Sequence, residues 1–118
     1  MLQEFDPGDY LIFQIESGYG LLRVLAIEGP EKDPVWHLAA YSDLFLDTEM
    51  ADAAIDNGSL SIGQPHLALT NRAFESTQVS RMQNAPLTEE ELAGYREWKT
   101  DPGTEVSDRS VRLLLGIR

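Results

Sequence analysis

The stretch from Gly8 to Gly29 constrains this chain more than any other. It reads Gly-Asp-Tyr-Leu-Ile-Phe-Gln-Ile-Glu-Ser-Gly-Tyr-Gly-Leu-Leu-Arg-Val-Leu-Ala-Ile-Glu-Gly. Two runs rich in β-branched and aromatic residues, Tyr10 to Ile15 and Leu21 to Ile27, flank Glu16-Ser17-Gly18-Tyr19-Gly20, whose glycines permit the reversal of a β-hairpin. Both runs are strongly apolar, so both faces of the hairpin need cover. A third strand follows the proline-bounded loop Gly29 to Pro34. In Val35-Trp36-His37-Leu38-Ala39-Ala40-Tyr41, strand alternation puts Trp36, Leu38 and Ala40 on one face and His37, Ala39 and Tyr41 on the other.

Beyond this meander the signals turn mixed. Met1 to Pro7 reads as a lead-in anchored by Phe5. A short helix is predicted over Glu49 to Ile55, capped by Thr48 and ended by Asn57-Gly58. Leu60-Ser61-Ile62, the short apolar piece His66 to Leu69, and Thr77 to Met82 read as strand segments, with Asn71 to Ser76 as a link in which Phe74 is large enough to be buried. The strongest local signal is Pro86-Leu87-Thr88-Glu89-Glu90-Glu91-Leu92. Thr88 and Glu91 have capping-box spacing, Leu87 and Leu92 that of a hydrophobic staple, and a helix with a Leu92, Tyr95, Trp98 stripe follows until Asp101-Pro102-Gly103. Val111, Leu113, Leu115 and Ile117 alternate, which predicts a C-terminal strand paired inside a sheet. The expected fold is a single α+β domain over residues 1–118: a twisted, mainly antiparallel sheet rolled toward a small barrel, with a short acidic helix and a late capped helix.

Charge and cysteine count narrow the function. The chain has 118 residues, 20 acidic and 9 basic, for a formal net charge of -11. Its cations are scattered singly, so no basic stripe exists for nucleic acid or an anionic membrane, whereas a basic protein partner would be attracted. With no cysteine, disulfides, thiolate metal sites and thiol catalysis are excluded. Met1-Leu2-Gln3-Glu4 lacks the pattern of a signal peptide and no apolar run approaches a membrane span, so a cytoplasmic protein is expected.

Catalytic patterns are equally sparse. No Gly-x-Ser-x-Gly elbow is present, and Gly18-Tyr19-Gly20 is too short for a dinucleotide cradle, so no cofactor is expected. The run Asp47-Thr48-Glu49-Met50-Ala51-Asp52 lacks the spacing of a calcium loop and reads as a solvated helix face, so no metal is expected. His37 and His66 lie far apart in sequence. The aromatic residues, Tyr10, Phe13, Trp36, Tyr41, Tyr95 and Trp98 among them, read as core before they read as pocket. Tyr19, between two glycines at the hairpin tip, is expected to be exposed and suited to contact with a protein.

Several of these residues together carry a likeness. Gly8 and Asp9 before an apolar strand, Gly18-Tyr19-Gly20 leading to Arg23-Val24-Leu25, and Asn84-Ala85-Pro86-Leu87 before an acidic helix resemble the Imm26-type immunity proteins of bacterial toxin systems. In place of the tryptophan usual before the Asn-x-Pro-Leu segment, this chain has Arg81-Met82-Gln83. The resemblance implies a cytoplasmic protein that neutralises a toxin by binding it, without catalysis. A basic toxin domain is the partner so implied, met by a charged patch of Asp43, Asp47, Glu49, Asp52 and Asp56 with Tyr19 as anchor. Two alternatives stand beside it. One is a small interaction or accessory protein that pairs with itself through a strand edge; the other is an enzyme or small-ligand binder built on His37 or His66.

Overall fold

The computed structural model describes residues 5–101 and 106–115. Five strands form one sheet: β1 (Asp9–Ile15), β2 (Gly18–Glu28), β3 (Val35–Phe45), β4 (Ile62–Thr70) and β5 (Val79–Asn84). Their order is β4-β3-β2-β1-β5, with every neighbouring pair antiparallel. Among the described residues four helices accompany the sheet: α1 (Thr48–Asn57), α2 (Asn71–Glu75), α3 (Glu89–Thr100) and α4 (Val111–Leu114). The architecture is α+β as expected, but β4 and β5 lie at opposite edges, so the sheet is open and not rolled into a barrel.

The hairpin is the centre of the sheet and both its faces are covered. Leu11, Phe13, Leu22 and Val24 join Trp36, Leu38, Phe74 and Val111 in the larger cluster, on the side of α2 and α4. Trp36 and Phe74 stack with ring centroids 4.0 Å apart, and Phe5 meets both edge-on, which is the anchoring role its aromatic bulk predicted. On the opposite face Ile12, Leu21 and Phe45 pack with Ala51 of α1 in a smaller cluster, and α3 lies against β2 and β4.

Local differences from the sequence reading each have a physical cause. The hairpin turn is only Glu16-Ser17, because Gly18, Tyr19 and Gly20 already pair with Ile15, Gln14 and Phe13. Gly20 belongs in the strand, since a Cβ there would lie 2.6 Å from the Phe13 ring. Strand β3 runs on to Phe45, whose ring enters the smaller cluster. The cap of α1 is Asp47, not Thr48: its carboxylate accepts from the Met50 amide at 2.8 Å, and Thr48 becomes the first helical residue. Ile62 and His66 to Leu69 merge with the intervening Gly63-Gln64-Pro65 into β4, while Leu60 and Ser61 lie outside it, and Pro65 is tolerated because this is an edge strand with shifted register nearby. The link over Asn71 to Ser76 contains α2, capped by Thr70.

The C-terminal strand is replaced by α4. Ser110 caps it, Val111 is fully buried, Leu114 and Leu115 pack on the larger cluster, and Leu113 is 69% exposed. The sequence satisfies both periods, and the 111, 114, 115 spacing of a helix is the one the core accepts. Ile117 lies outside the described residues.

Candidate functional site

The five acidic residues expected to form a patch lie at the end of β3 and along α1, and most also have local roles. Asp47 caps α1, Asp43 accepts from the Ser61 amide at 2.6 Å, and Asp52 and Asp56, one helical turn apart, accept from the Gln83 side chain at 2.6 and 3.1 Å. Glu49 is exposed. None of the five forms an ion pair among the described residues, and α1 carries no Lys or Arg at all. Five of the chain's cations are paired with other acids: Arg23 with Glu91, Arg81 with Asp9, Arg96 with Glu89, Arg72 with Asp108 and Lys99 with Glu28. Leu44, Leu46 and Met50, within the same seven residues as Asp47 and Glu49, are 58%, 76% and 49% exposed. Tyr19 does not stand free at a tip: it is half-buried, paired with Gln14 and Phe45 and packed on the smaller cluster.

Between α1 and α3 the sheet is left partly uncovered. Tyr10 and Tyr41 stack there with centroids 6.1 Å apart. A recess of about 400 Å³ opens over them, walled by Ile55 and Leu60 on one side and Glu90 and Glu91 on the other, and it adjoins one of about 140 Å³ that reaches Leu25 and Ala39. Tyr41 is the most perturbed phenol, pushed up to about 12, mainly by burial.

Arg23 explains why α3 begins where it does. Although buried, its guanidinium reaches the Gly8 carbonyl (3.0 Å), the Tyr10 hydroxyl (2.7 Å), Glu91 (2.5 Å) and the Ala85 carbonyl (2.9 Å), and lies 4.0 Å from the centre of the Tyr10 ring. Glu91 uses its other oxygen to accept from the Thr88 amide at 2.9 Å, while the Thr88 hydroxyl accepts from the Glu91 amide at 3.1 Å. The predicted capping box is therefore present and tied to the sheet. Beside it Asp9, also buried, accepts from Asn84 at 2.8 Å and Arg81 at 2.7 Å. Burial alone would raise the Asp9 carboxyl, but the hydrogen bonds from Asp6, Asn84 and Arg81 hold it below its usual value. Gly8 is required here: its φ is 95° and a Cβ would lie 2.5 Å from the Ala85 carbonyl oxygen. Gly8, Asp9, Arg23, Asn84, Ala85 and Pro86, quoted above for the resemblance, thus meet in one junction.

The two histidines, unrelated in sequence, also meet. His37 Nδ1 is 2.9 Å from His66 Nε2 and the rings stack, while Nε2 of His37 lies 2.8 Å from Glu28 Oε1. That second contact is at ion-pair distance but off the line of the ring N–H, so His37 Nε2 has no aligned hydrogen bond. Lys99 reaches the other Glu28 oxygen at 2.7 Å, and Tyr95 and Trp98 of α3 close over the His37 ring at 4.7 Å. Gly94 lets the helix sit this low: a Cβ there would be 3.1 Å from the His66 Cβ. Burial lowers the affinity of both rings for protons, that of His66 to about 4 with His37 adding to the effect, while Glu28 partly opposes it at His37. Glu28 is held below its usual value, chiefly by the Lys99 hydrogen bond.

His37 is wholly buried and neither ring lines the recesses above α1 and α3. No group of three or more His, Asp or Glu side chains that could hold a metal occurs among the described residues. Among those residues, too, no helix is long and apolar enough to cross a membrane. Strand alternation places His37 and Tyr41 on one face of β3, but the encounters with His66, Glu28 and Tyr10 depend on strand register, which spacing does not reveal. Compared with known proteins, the chain matches no protein-family model, no curated protein and no solved structure.

Proposed function

We propose that this chain is a non-catalytic protein-binding domain of the immunity type, which neutralises a toxin by covering a basic surface of it. The observation that carries this reading is the unneutralised acid of α1. Asp43, Asp47, Glu49, Asp52 and Asp56 form no ion pair among the described residues, while Asp9, Glu28, Glu89, Glu91 and Asp108 each have one. Leaving them together costs self-repulsion that a basic partner would relieve on docking. The exposed Leu44, Leu46 and Met50 beside them supply the apolar contact area that a charged rim alone lacks. The burial of His37 and the close packing of His66 beneath α3 favour binding over chemistry at those rings.

The test is binding between this chain and the toxin encoded next to its gene, read by calorimetry and by survival of cells that express both. Micromolar or tighter binding, weakened by salt and about tenfold by the double replacement Glu49→Lys with Asp56→Lys, is expected. Absence of binding at micromolar concentration together with no protection would overturn the reading.

A further inference from the structure

The geometry points to the trough between α1 and α3 as a socket for a cationic side chain, an arginine above all, presented by the basic partner. The inference rests on the protein-binding reading just given, and it moves the centre of contact from the outer face of α1 to its C-terminal end.

The floor of the trough is aromatic. Tyr10 is already covered on one side by the Arg23 guanidinium, and it stacks on Tyr41, so Tyr41 and Ile62 line the open part of the recess. The positive charge of Arg23 is offset by Glu91 at 2.5 Å, which leaves Glu90 on the wall as an exposed carboxylate without an ion pair among the described residues. The opposite wall is the end of a ten-residue helix. The last turn of α1 has no basic residue, so its negative end is met only by the Gly58 and Ser59 amides that cap it and by no side-chain cation, and Ile55 and Gly58 of that end border the recess. A carboxylate, a helix C-terminus and an aromatic face thus converge on a recess of about 400 Å³ and favour positive charge, while the first-turn acids Glu89, Glu90 and Glu91 offset the positive end of α3 that also borders it.

The remaining walls suit the stem of such a side chain. Ile55, Leu60 and Ile62 are apolar, and Ile62 is 51% exposed with nothing over it. Methylene groups can lie along them while the head group reaches Glu90. A planar guanidinium gains more here than an ammonium does, because it can stack on a phenol ring and present two N–H groups to one carboxylate. A nucleic acid or an anionic lipid would meet only repulsion from the same walls.

The probe is N-acetyl-L-arginine methylamide, titrated into the full chain and followed by amide chemical shifts, with the neutral citrulline analogue as control. Saturable shifts at Tyr41, Leu60, Ile62 and Glu90, with a Kd on the order of 1 mM, and none with the analogue, are expected. Glu90→Gln, at an exposed position without an ion pair among the described residues, should weaken binding about fivefold. Ile62→Lys, which puts a cation of the chain's own into the trough, should abolish it. Shifts elsewhere, equal response to the neutral analogue, or binding unchanged in Glu90→Gln would overturn the socket. The socket and the wider reading fail separately. If the toxin binds and Glu90→Gln and Ile62→Lys leave its affinity unchanged, the socket falls while the protein-binding function stands. If the arginine probe binds in the trough and no basic partner does, the socket stands and the immunity reading falls.

Discussion

Acidification from pH 7 to pH 5 should loosen this fold through a single pair of rings. His37 and His66 take up protons less readily in the folded chain than a free imidazole does, His66 only near pH 4 against about 6.5 when unfolded. Below pH 6.5 the unfolded chain therefore binds protons that the folded chain does not, and the His66 part of the stability falls until that ring titrates in the folded chain as well, near pH 4. A shift from 6.5 to about 4 corresponds to about 3.4 kcal/mol at 1.36 kcal/mol per unit. Because His66 is half-buried, solvent screening reduces this, and about 1 kcal/mol is expected between pH 7 and pH 5. For a domain of this size that is a fall in Tm of about 4 °C. The groups facing the pair, Glu28 on β2 and Tyr95 and Lys99 on α3, keep their charge states over this range, since Glu28 is lowered and Tyr95 and Lys99 are raised. The assay is urea unfolding at both pH values for the native chain and for His66→Gln, which keeps a hydrogen-bonding group toward His37 but cannot titrate. Carboxylates elsewhere contribute equally to both proteins and cancel in the difference. Equal loss of stability in the two chains, or a His66 ring that titrates near 6.5 by NMR, would refute the reasoning.

Further expectations concern the frame around the site. Arg23→Met should cost about 3–5 kcal/mol in urea unfolding, because Glu91 would lose its cation, the Ala85 carbonyl its Arg23 donor and the Gly8 carbonyl one of its two donors; a loss under about 1 kcal/mol would deny the junction its role. Gly8→Ala should cost about 2–3 kcal/mol, since it places a Cβ against the Ala85 carbonyl at positive φ, and an unchanged Tm would contradict that contact. Leu113→Asp should change stability by no more than about 0.5 kcal/mol while Val111→Asp should prevent cooperative folding. A strand would treat those two positions alike, so comparable losses would argue for the strand that alternation suggested.

How much of this was legible beforehand follows from how local each signal is. The hairpin, the capping box at Thr88 and Glu91, and the glycine stop at Gly58 depend on neighbours within a few residues, and all three are present. Phe74 needed only its size to be placed in the core. The segment from Val111 failed because leucine-rich sequence fits two periods at once, and the choice between them was made by the distant residues that cover Val111. Thr48 yielded to Asp47 because two capping residues stood side by side. The site was least legible. Asp43 to Asp56 could be seen as an acidic run, but that Arg23, Arg72, Arg81, Arg96 and Lys99 pair with other acids is a property of the folded arrangement. The encounter of His37 with His66 depends on the pairing of β3 with β4 and on where α3 comes to rest.

The double use of Glu91 has a bearing on the order in which the molecule assembles. Its carboxylate completes the first turn of α3 and also neutralises Arg23, a residue 68 positions earlier, and no residue of α3 is fully buried. An isolated peptide of twelve residues with so little to bury would spend most of its time unwound. This helix should therefore form late, once the meander is in place to present its cation. Its amides should exchange with solvent as fast as the junction opens, and removal of Arg23 should expose them to deuterium while the centre of the sheet stays protected.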